Sequence, residues 1–321
     1  AGRGSRGHSG IERVTYLATR LLSALTTVAG VSLMVFFFIH LIPGDPVERM
    51  LGDNARPADR TVLRQALGLD QTLPRQLAAY AGGLVRLDLG NSLVNDRPVG
   101  DLLIERVPAT AELAVAALVL ALVIALPLGV TAARRHRSWR DTTAMGFSLV
   151  GVSIPNFWLG PLLILVFSLW LGWTPVSGRG DWSSLVLPAL TLGTSLAAVL
   201  ARMVRSSLLE VLGEDFVRTA RAKGVSEGIV VWRHALRNAL LPVVTLTGLQ
   251  LGALLGGAVI TETVFAWPGI GALLMEAIQS RDYPVVQGCV LVISLAYVMV
   301  NLATDLLYVL IDPRVQSGND G

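Results

Sequence analysis

The 321-residue chain is 53% hydrophobic and only 15% charged, with a mean hydropathy of +0.60. That balance excludes an ordinary soluble domain and describes a polytopic membrane protein. Its 26 basic against 23 acidic residues leave a net charge of +3, a modest surplus that gives no reason to expect a nucleic-acid partner, and its single cysteine, Cys289, excludes intramolecular disulfides and cysteine-based metal sites.

In chain order, residues 1–17 form a polar, basic N-terminal segment, and the first apolar run, 18–42, comes next. This run is too long for a secretory signal peptide, and LIPGDP stands where small residues would precede a cleavage site. A long segment, 43–109, separates it from further apolar runs at about 110–132, 145–172, 185–208, 241–264 and 285–311. The third of the six runs is interrupted by Pro155 and Pro161. Each run is long enough to cross roughly 30 Å of hydrocarbon as a helix, and backbone amides in lipid must be bonded internally. The sequence therefore predicts an all-α protein with six transmembrane helices: one at 18–42, and five in a core at 110–311 that precedes a short tail, 312–321.

The arginines set the orientation. Arg3, Arg6 and Arg13 precede the first span and Arg20 stands at its start; Arg134, Arg135, Arg137 and Arg140 join the second to the third. Arg202 and Arg205 stand in the last turns of the fourth, and Arg218, Arg221, Lys223, Arg233 and Arg237 lie between it and the fifth, whereas the short connections on the other side hold only Arg179 and Arg281. Residues 43–108 carry eight arginines but nine acids, and loops of that length obey the rule weakly. Both termini and the connection at 210–240 are expected in the cytoplasm, and 43–109 outside, as a small folded cap, as a docking site for a partner protein, or as a plain spacer.

That cytoplasmic connection contains FVRTARAKG, residues 216–224. Gly213 breaks the preceding helix, Glu214 and Asp215 stand where a new one begins, and Arg218, Arg221 and Lys223 occupy its later turns before Gly224. Acids first, bases last and a terminal glycine suit the helix dipole and a left-handed cap. Glu214 and Arg218, four apart, are expected to face each other. Ala220 and Ala222, with Thr219 between Arg218 and Ala220, leave a surface that another protein can approach closely. SEGIVVWRHALRNALLP is a second short segment after it, with Pro242 opening the fifth span. Either the loop fixes topology alone, or the helix is a lever that a cytosolic partner pushes; charge does not choose between them.

Polar residues in the spans are few. Ser153 and Asn156 flank Pro155, and Thr247 and Gln250 lie in the fifth span; they are candidates for helix–helix bonds or for a translocation path. The glycine-rich GLQLGALLGG, 248–257, suits close helix approach, as at an interface with a second chain. An ion-coupled secondary transporter would need deep ionisable groups, for which Glu112, Glu262 and Asp305, near Asn301, are the candidates. Phe265, Trp267, Pro268, Gly269 and Gly271 are read as a re-entrant external gate. HExxH does not occur, GVSEG at 224–228 matches GxSxG only inside the basic loop and not between a strand and a helix, and His8, His40, His136 and His234 are scattered, so no catalytic residue or metal site is expected.

DFVRTARAKGVSEGIVVWRHALRNALLPVV resembles the coupling loop of the ABC-importer permeases of the dipeptide, oligopeptide and nickel group. The wider pattern is Glu-Ala-Ala, three residues, Gly, then Leu-Pro; here Arg218, Thr219 and Ala220 fill the first places, Gly224 the glycine and Leu241-Pro242 the end. Arginine in place of the acid and the longer gap are usual for the peptide group. GVSLMVFFFIHLIPGDPV, LGLDQTLPRQLAAYAGGLVRLDLGNSLVNDRPVGDLLIERVPATAEL, GVSIPNFWLGPLL, ETVFAWPGIGALLMEAIQSRDYPVVQG and DLLYVLIDPRV are also similar to that group, in the same order. The resemblance implies the type I importer permease fold and a bacterial inner-membrane location. It also implies a second homologous permease, two cytosolic ATPase subunits that hold ATP and magnesium, and an external substrate-binding protein. Residues 214–224 would then be the contact with the ATPase, and the cargo a dipeptide or short oligopeptide, with nickel-chelate or another small solute as the alternative. No GxxxxGK[ST] occurs, consistent with nucleotide chemistry on partner chains.

Overall fold

The computed structural model describes residues 22–23, 25–37, 47, 56–66 and 68–311. The N-terminal segment 1–17, part of the first span and the tail 312–321 lie outside the described residues, as does the side chain of Asp305. The described chain forms α1 (Leu25–Phe37), α2 (Pro57–Ala66), α3 (Leu73–Arg86), α4 (Val99–Arg134), α5 (Trp139–Ser153) and α6 (Asn156–Leu163), which continues as a π-helix over Ile164–Trp170. Then come α7 (Trp182–Leu212), α8 (Asp215–Ala222), α9 (Glu227–Ile229), a second π-helical stretch (Val230–Ala235), α10 (Leu236–Val264), α11 (Ile270–Ser280) and α12 (Tyr283–Ile311). Among the described residues no strand forms; Asn91 and Pro98 make an isolated antiparallel bridge.

α4, α7 and α12 are each long and apolar enough to cross a membrane. α10, with 29 residues, is about 43 Å long at 1.5 Å per residue. Three expected boundaries shift. The second helix starts at Val99, not near residue 110, and holds Pro108 inside it. An interior proline costs about 3 kcal/mol, but Val99, Leu102 and Leu103 are all buried in the turns before it, at about 1.5–3 kcal/mol each. The third span is no straight crossing: α5 and α6 with its π-helical extension meet at 101°. Proline disfavours the helical region for the residue before it, so Ile154 is extended (φ −85, ψ 117) and Pro155 becomes the N-cap of α6, whereas Pro161 is absorbed within that helix. Pro242 does not open the fifth helix. No non-helical residue interrupts Glu227–Val264, because Val230, Val231, Ala235, Leu236 and Ala239 are buried ahead of the proline.

The chain divides into two compact units. One comprises the described residues up to Arg106 with Leu273–Val298. In it Asp282 accepts hydrogen bonds from the Ser92 hydroxyl and from Leu93 N (3.1 Å), which pins the turn before α4. A Cβ on Gly288 would lie 2.7 Å from Val99 Cγ1, so this glycine permits close packing in the same unit.

The other unit comprises Val107–Ala272 with the described residues from Met299 onward. Its core is a seam of small residues. Ala109, Leu113, Ala117, Ala121 and Ala125 recur every fourth position on α4 and are fully buried. A Cβ on Gly193 of α7 would sit 2.9 Å from Ala117 O, and one on Gly129 of α4 would sit 2.7 Å from Ala201 O. Small residues thus bring the α4 and α7 backbones together, as in packed membrane helices. The other side of α4 exposes Val115, Val119 and Val123, as a lipid-facing or partner-facing stripe requires. Gly248 of the glycine-rich stretch is used inside this unit: its missing Cβ makes room for Thr304 of α12.

Candidate functional site

α8 is short, and two residues, Gly213 and Glu214, connect it to α7. Glu214 is its N-cap, with extended backbone (ψ 152), and the Glu214 side chain does not cap the helix. That extended geometry takes Glu214 off the helical face, so the expected Glu214–Arg218 pair gives way to Arg218 Nη1 with Asp215 Oδ1, at 3.2 Å. Thr219 Oγ1 donates to Asp215 O. Gly224 adopts φ +77, the left-handed conformation expected past the helix end. Val217 is the one buried side chain of α8 and belongs to the same core as Val230, Val231 and Ala235 of the π-helical stretch. Ala220 is half-buried against that core, whereas Asp215, Arg218, Thr219, Arg221, Ala222 and Lys223 are exposed, together with Phe216.

Arg221 ties α8 to α9 through a forked pair, Nε to Glu227 Oε2 at 3.1 Å and Nη2 to Glu227 Oε1 at 2.8 Å. The guanidinium holds the Glu227 carboxyl below its ordinary range. Glu227 is also the first residue of the unbroken helical run to Val264. The tie thus joins α8 to a helical run about 57 Å long if straight, at 1.5 Å per residue. Ser207 Oγ of α7 donates to Ala239 O of α10 (2.9 Å), joining the two long helices that flank α8 in sequence.

The polar candidates divide. Asn156 and Gln250 line one small cavity of about 140 Å³ with Val152, Leu192, Ser195 and Leu196. Ser153 points elsewhere, its hydroxyl donating to Leu149 O, and Thr247 bonds Val243 O within its own helix. Asp305 lies on the α12 backbone, its side chain outside the described ones.

The expected gate residues are held, not loose. Phe265 and Trp267 are buried, and Trp267 Nε1 donates to Ala109 O at 2.8 Å. Around them Glu262 is fully buried; its Oε1 accepts from Thr110 Oγ1 (2.6 Å) and its Oε2 from Ala272 N (3.0 Å). Thr110 Oγ1 in turn accepts from Ile270 N (2.8 Å). The carboxylate and the hydroxyl thus cap the N-terminus of α11, where negative charge is favoured. A Cβ at Gly269 would fall 2.1 Å from Glu262 Oε1, so glycine there makes room for the buried carboxylate. Pro268 stands between Trp267 and this glycine.

Arg179, in the connection between α6 and α7, lies over Trp267 with its guanidinium carbon 5.9 Å from the ring centroid. It pairs with Glu112, Nε and Nη2 both reaching Oε2 at 2.9 and 2.7 Å. Gly178 N donates to Phe265 O (2.8 Å), fixing this loop to the turn at 265–269. Glu112 is well inside α4 rather than at its beginning.

Sequence reading missed a further cluster. Asp141, buried near the start of α5, accepts Arg205 Nε (2.6 Å) and Nη2 (2.8 Å) from α7, and Arg137 N (3.0 Å). His136 Nδ1 lies 3.3 Å from Asp141 Oδ2. An acid in the basic run RRHRSWRD was the available signal, as was Arg179 on the arginine-poor side. Among the described residues no three His, Cys, Asp or Glu side chains are grouped to hold a metal.

Residues 125–317 match the family of binding-protein-dependent transport system inner membrane components, and residues 13–114 match the N-terminal region of such membrane components. The glutathione transport system permease protein GsiC of Escherichia coli (strain K12) is 45% identical over 303 residues, covering 94% of this chain and 99% of the relative. The protein of the same description in Shigella dysenteriae serotype 1 matches with the same figures. In fold, the chain is similar to the MetNI methionine ABC transporter in inward-facing crystals, with a TM-score of 0.57 at 22% identity over 66% of this chain and 96% of that one.

Proposed function

The chain belongs to the binding-protein-dependent transport system inner membrane components, as a permease subunit of the ABC importers of the peptide and nickel group, and from that membership we propose that it carries short peptides inward. An external binding protein delivers the cargo, and cytosolic ATPase subunits bearing ATP and magnesium press on α8. Both termini and α8 face the cytoplasm in this reading, and the α6–α7 loop and the Phe265–Gly269 turn face outward.

The observation that carries the reading is mechanical. α8 hangs between two glycines, is seated by one side chain, exposes most of its remaining surface, and is tied to an unbroken helical run through Arg221 and Glu227. A helix built to span would be longer; one built only to set topology would need no such tie. Peptide cargo is favoured by relatives named for glutathione, itself a tripeptide. Charged peptide ends cost several kcal/mol to strip of water, so a wet path with gates at both faces is required. The cavity at Asn156 and Gln250, about 140 Å³, is smaller than the roughly 300 Å³ at which small-ligand pockets begin. One chain supplies part of such a wall, and a second homologous permease would supply the rest.

The test is co-purification followed by transport. An ATPase should come down with the natural chain and be lost when residues 214–224 are scrambled. In proteoliposomes, uptake of a labelled di- or tripeptide should require the binding protein outside and ATP on the α8 side. Uptake that ignores ATP and collapses with a proton gradient would overturn the reading.

A further inference from the structure

Beside Arg179 the α6–α7 loop borders an open surface hollow of about 560 Å³, lined by Pro175, Ser177, Gly178, Asp181 and Ser184 along with the arginine. The loop is anchored at both ends of the hollow. Gly178 N is held by Phe265 O, and Asp181 caps α7 by accepting from Ser183 N and Ser183 Oγ. The Ser184 hydroxyl is engaged as well, with Gly180 N and Asp181 O. Among the described residues Arg179 is the one cation lining the hollow, and it is held in place rather than adrift.

Its geometry leaves donors to spare. Nε donates to Glu112 Oε2 and Nη2 closes on the same oxygen as an ion-pair contact, which leaves the Nη1–Nη2 edge of the guanidinium unbonded. That edge matches a carboxylate in the forked, two-bond manner. Glu112 meets both arginine nitrogens on Oε2, and both side chains remain about 40% exposed. The floor is rigid, since Trp267 is buried and its indole nitrogen is bonded to Ala109 O.

We propose that Arg179, braced by Glu112 and Trp267 beside this hollow, is a recognition point for the carboxylate end of the peptide cargo as it enters the permease. The proposal rests on the peptide-import reading above. The neighbouring Glu112 carboxylate gives the site the dipolar pattern of a peptide's own ends, with the cation for the carboxylate and the anion toward an ammonium group. Cargo would bind on the spare edge while Glu112 keeps its hold on the arginine, so the site is not left with a bare charge when the cargo moves on.

The experiment uses the reconstituted complex of permeases, ATPases and binding protein, with two forms of one peptide, free acid and C-terminal amide. Each is presented on saturated binding protein, so that delivery is equal. Uptake rates are compared as the acid-to-amide ratio within each variant, a ratio that partial unfolding does not change. The natural chain should prefer the acid; Arg179→Gln should lower the ratio about tenfold, which is about 1.4 kcal/mol. Arg179→Lys should restore part of it, as a point charge without the fork. An unchanged ratio in Arg179→Gln overturns the proposal, and so does an equal loss for acid and amide, which would assign Arg179 to an acidic group on the binding protein. If the natural complex takes up neither peptide, the peptide-import reading and this proposal fall together.

Discussion

Thr110→Val is nearly isosteric and removes only the hydroxyl between Glu262 and Ile270. Two bonds are lost: the 2.6 Å donation to Glu262 Oε1 and the 2.8 Å acceptance from Ile270 N. A hydrogen bond to a charged group is worth about 1.5–3 kcal/mol, and a buried N–H left unpaired costs about 1–3 kcal/mol. The sum is about 4 kcal/mol, concentrated where α4, α10 and the start of α11 meet. At roughly 2–4 °C per kcal/mol for a domain of 150–250 residues, helical circular dichroism of the detergent-purified chain should show melting about 8–16 °C lower. Thr110→Ser keeps the hydroxyl and should lose less than about 4 °C. A Thr110→Val chain that melts within about 2 °C of its parent, with Thr110→Ser no different, would refute the capping role assigned to this junction.

Val217→Ala should cost the α8 seat about 2 kcal/mol of burial, seen as faster amide exchange over 215–222 and weaker peptide-stimulated ATP hydrolysis. Phe216→Ala should leave that exchange unchanged while lowering ATPase affinity. Arg205→Ala strands the buried Asp141 carboxylate and should destabilise the chain by roughly 3–5 kcal/mol; pairing it with Asp141→Asn should recover much of the loss, which thermal melts of single and double variants measure. Because Arg221 holds the Glu227 carboxyl below its ordinary range, this tie contributes above the unfolded carboxylate pKa of about 4.3 and is lost as pH falls through the lower folded value. Exchange at Gly224–Val225, corrected for intrinsic rate, should be flat from about pH 7 to 5 and rise only below about 4.

Local signals made much of this protein readable from its sequence alone. The apolar runs found the long helices because lipid allows few alternatives. Asp215 and Gly224 marked the ends of α8 within a residue or two, since dipole and left-handed cap are properties of the segment itself. What escaped was pairing across distance. Nothing near Glu262 announces Thr110, 152 positions earlier, and nothing near Asp141 announces Arg205. Prolines misled in both directions: Pro155 bends its span by 101°, whereas Pro108 and Pro242 lie inside continuous helices. The difference is whether neighbouring burial outweighs one missing bond, and that depends on the tertiary fold. The convergence of Asn156 with Gln250 comes from the same fold and had no signal in either segment.

The seam between α4 and α7 has a mechanical consequence. Alanine and glycine carry no side-chain rotamers, so neither a packed nor a shifted register costs them side-chain entropy. Along Ala117, Ala121 and Ala125 the surface has little relief, but Leu120 of α4 packs over Gly193 and Val204 of α7 packs over Gly129. Those two side chains are detents on an otherwise low track. The helices rest in one register until both are lifted, and the alanines between them oppose little further sliding.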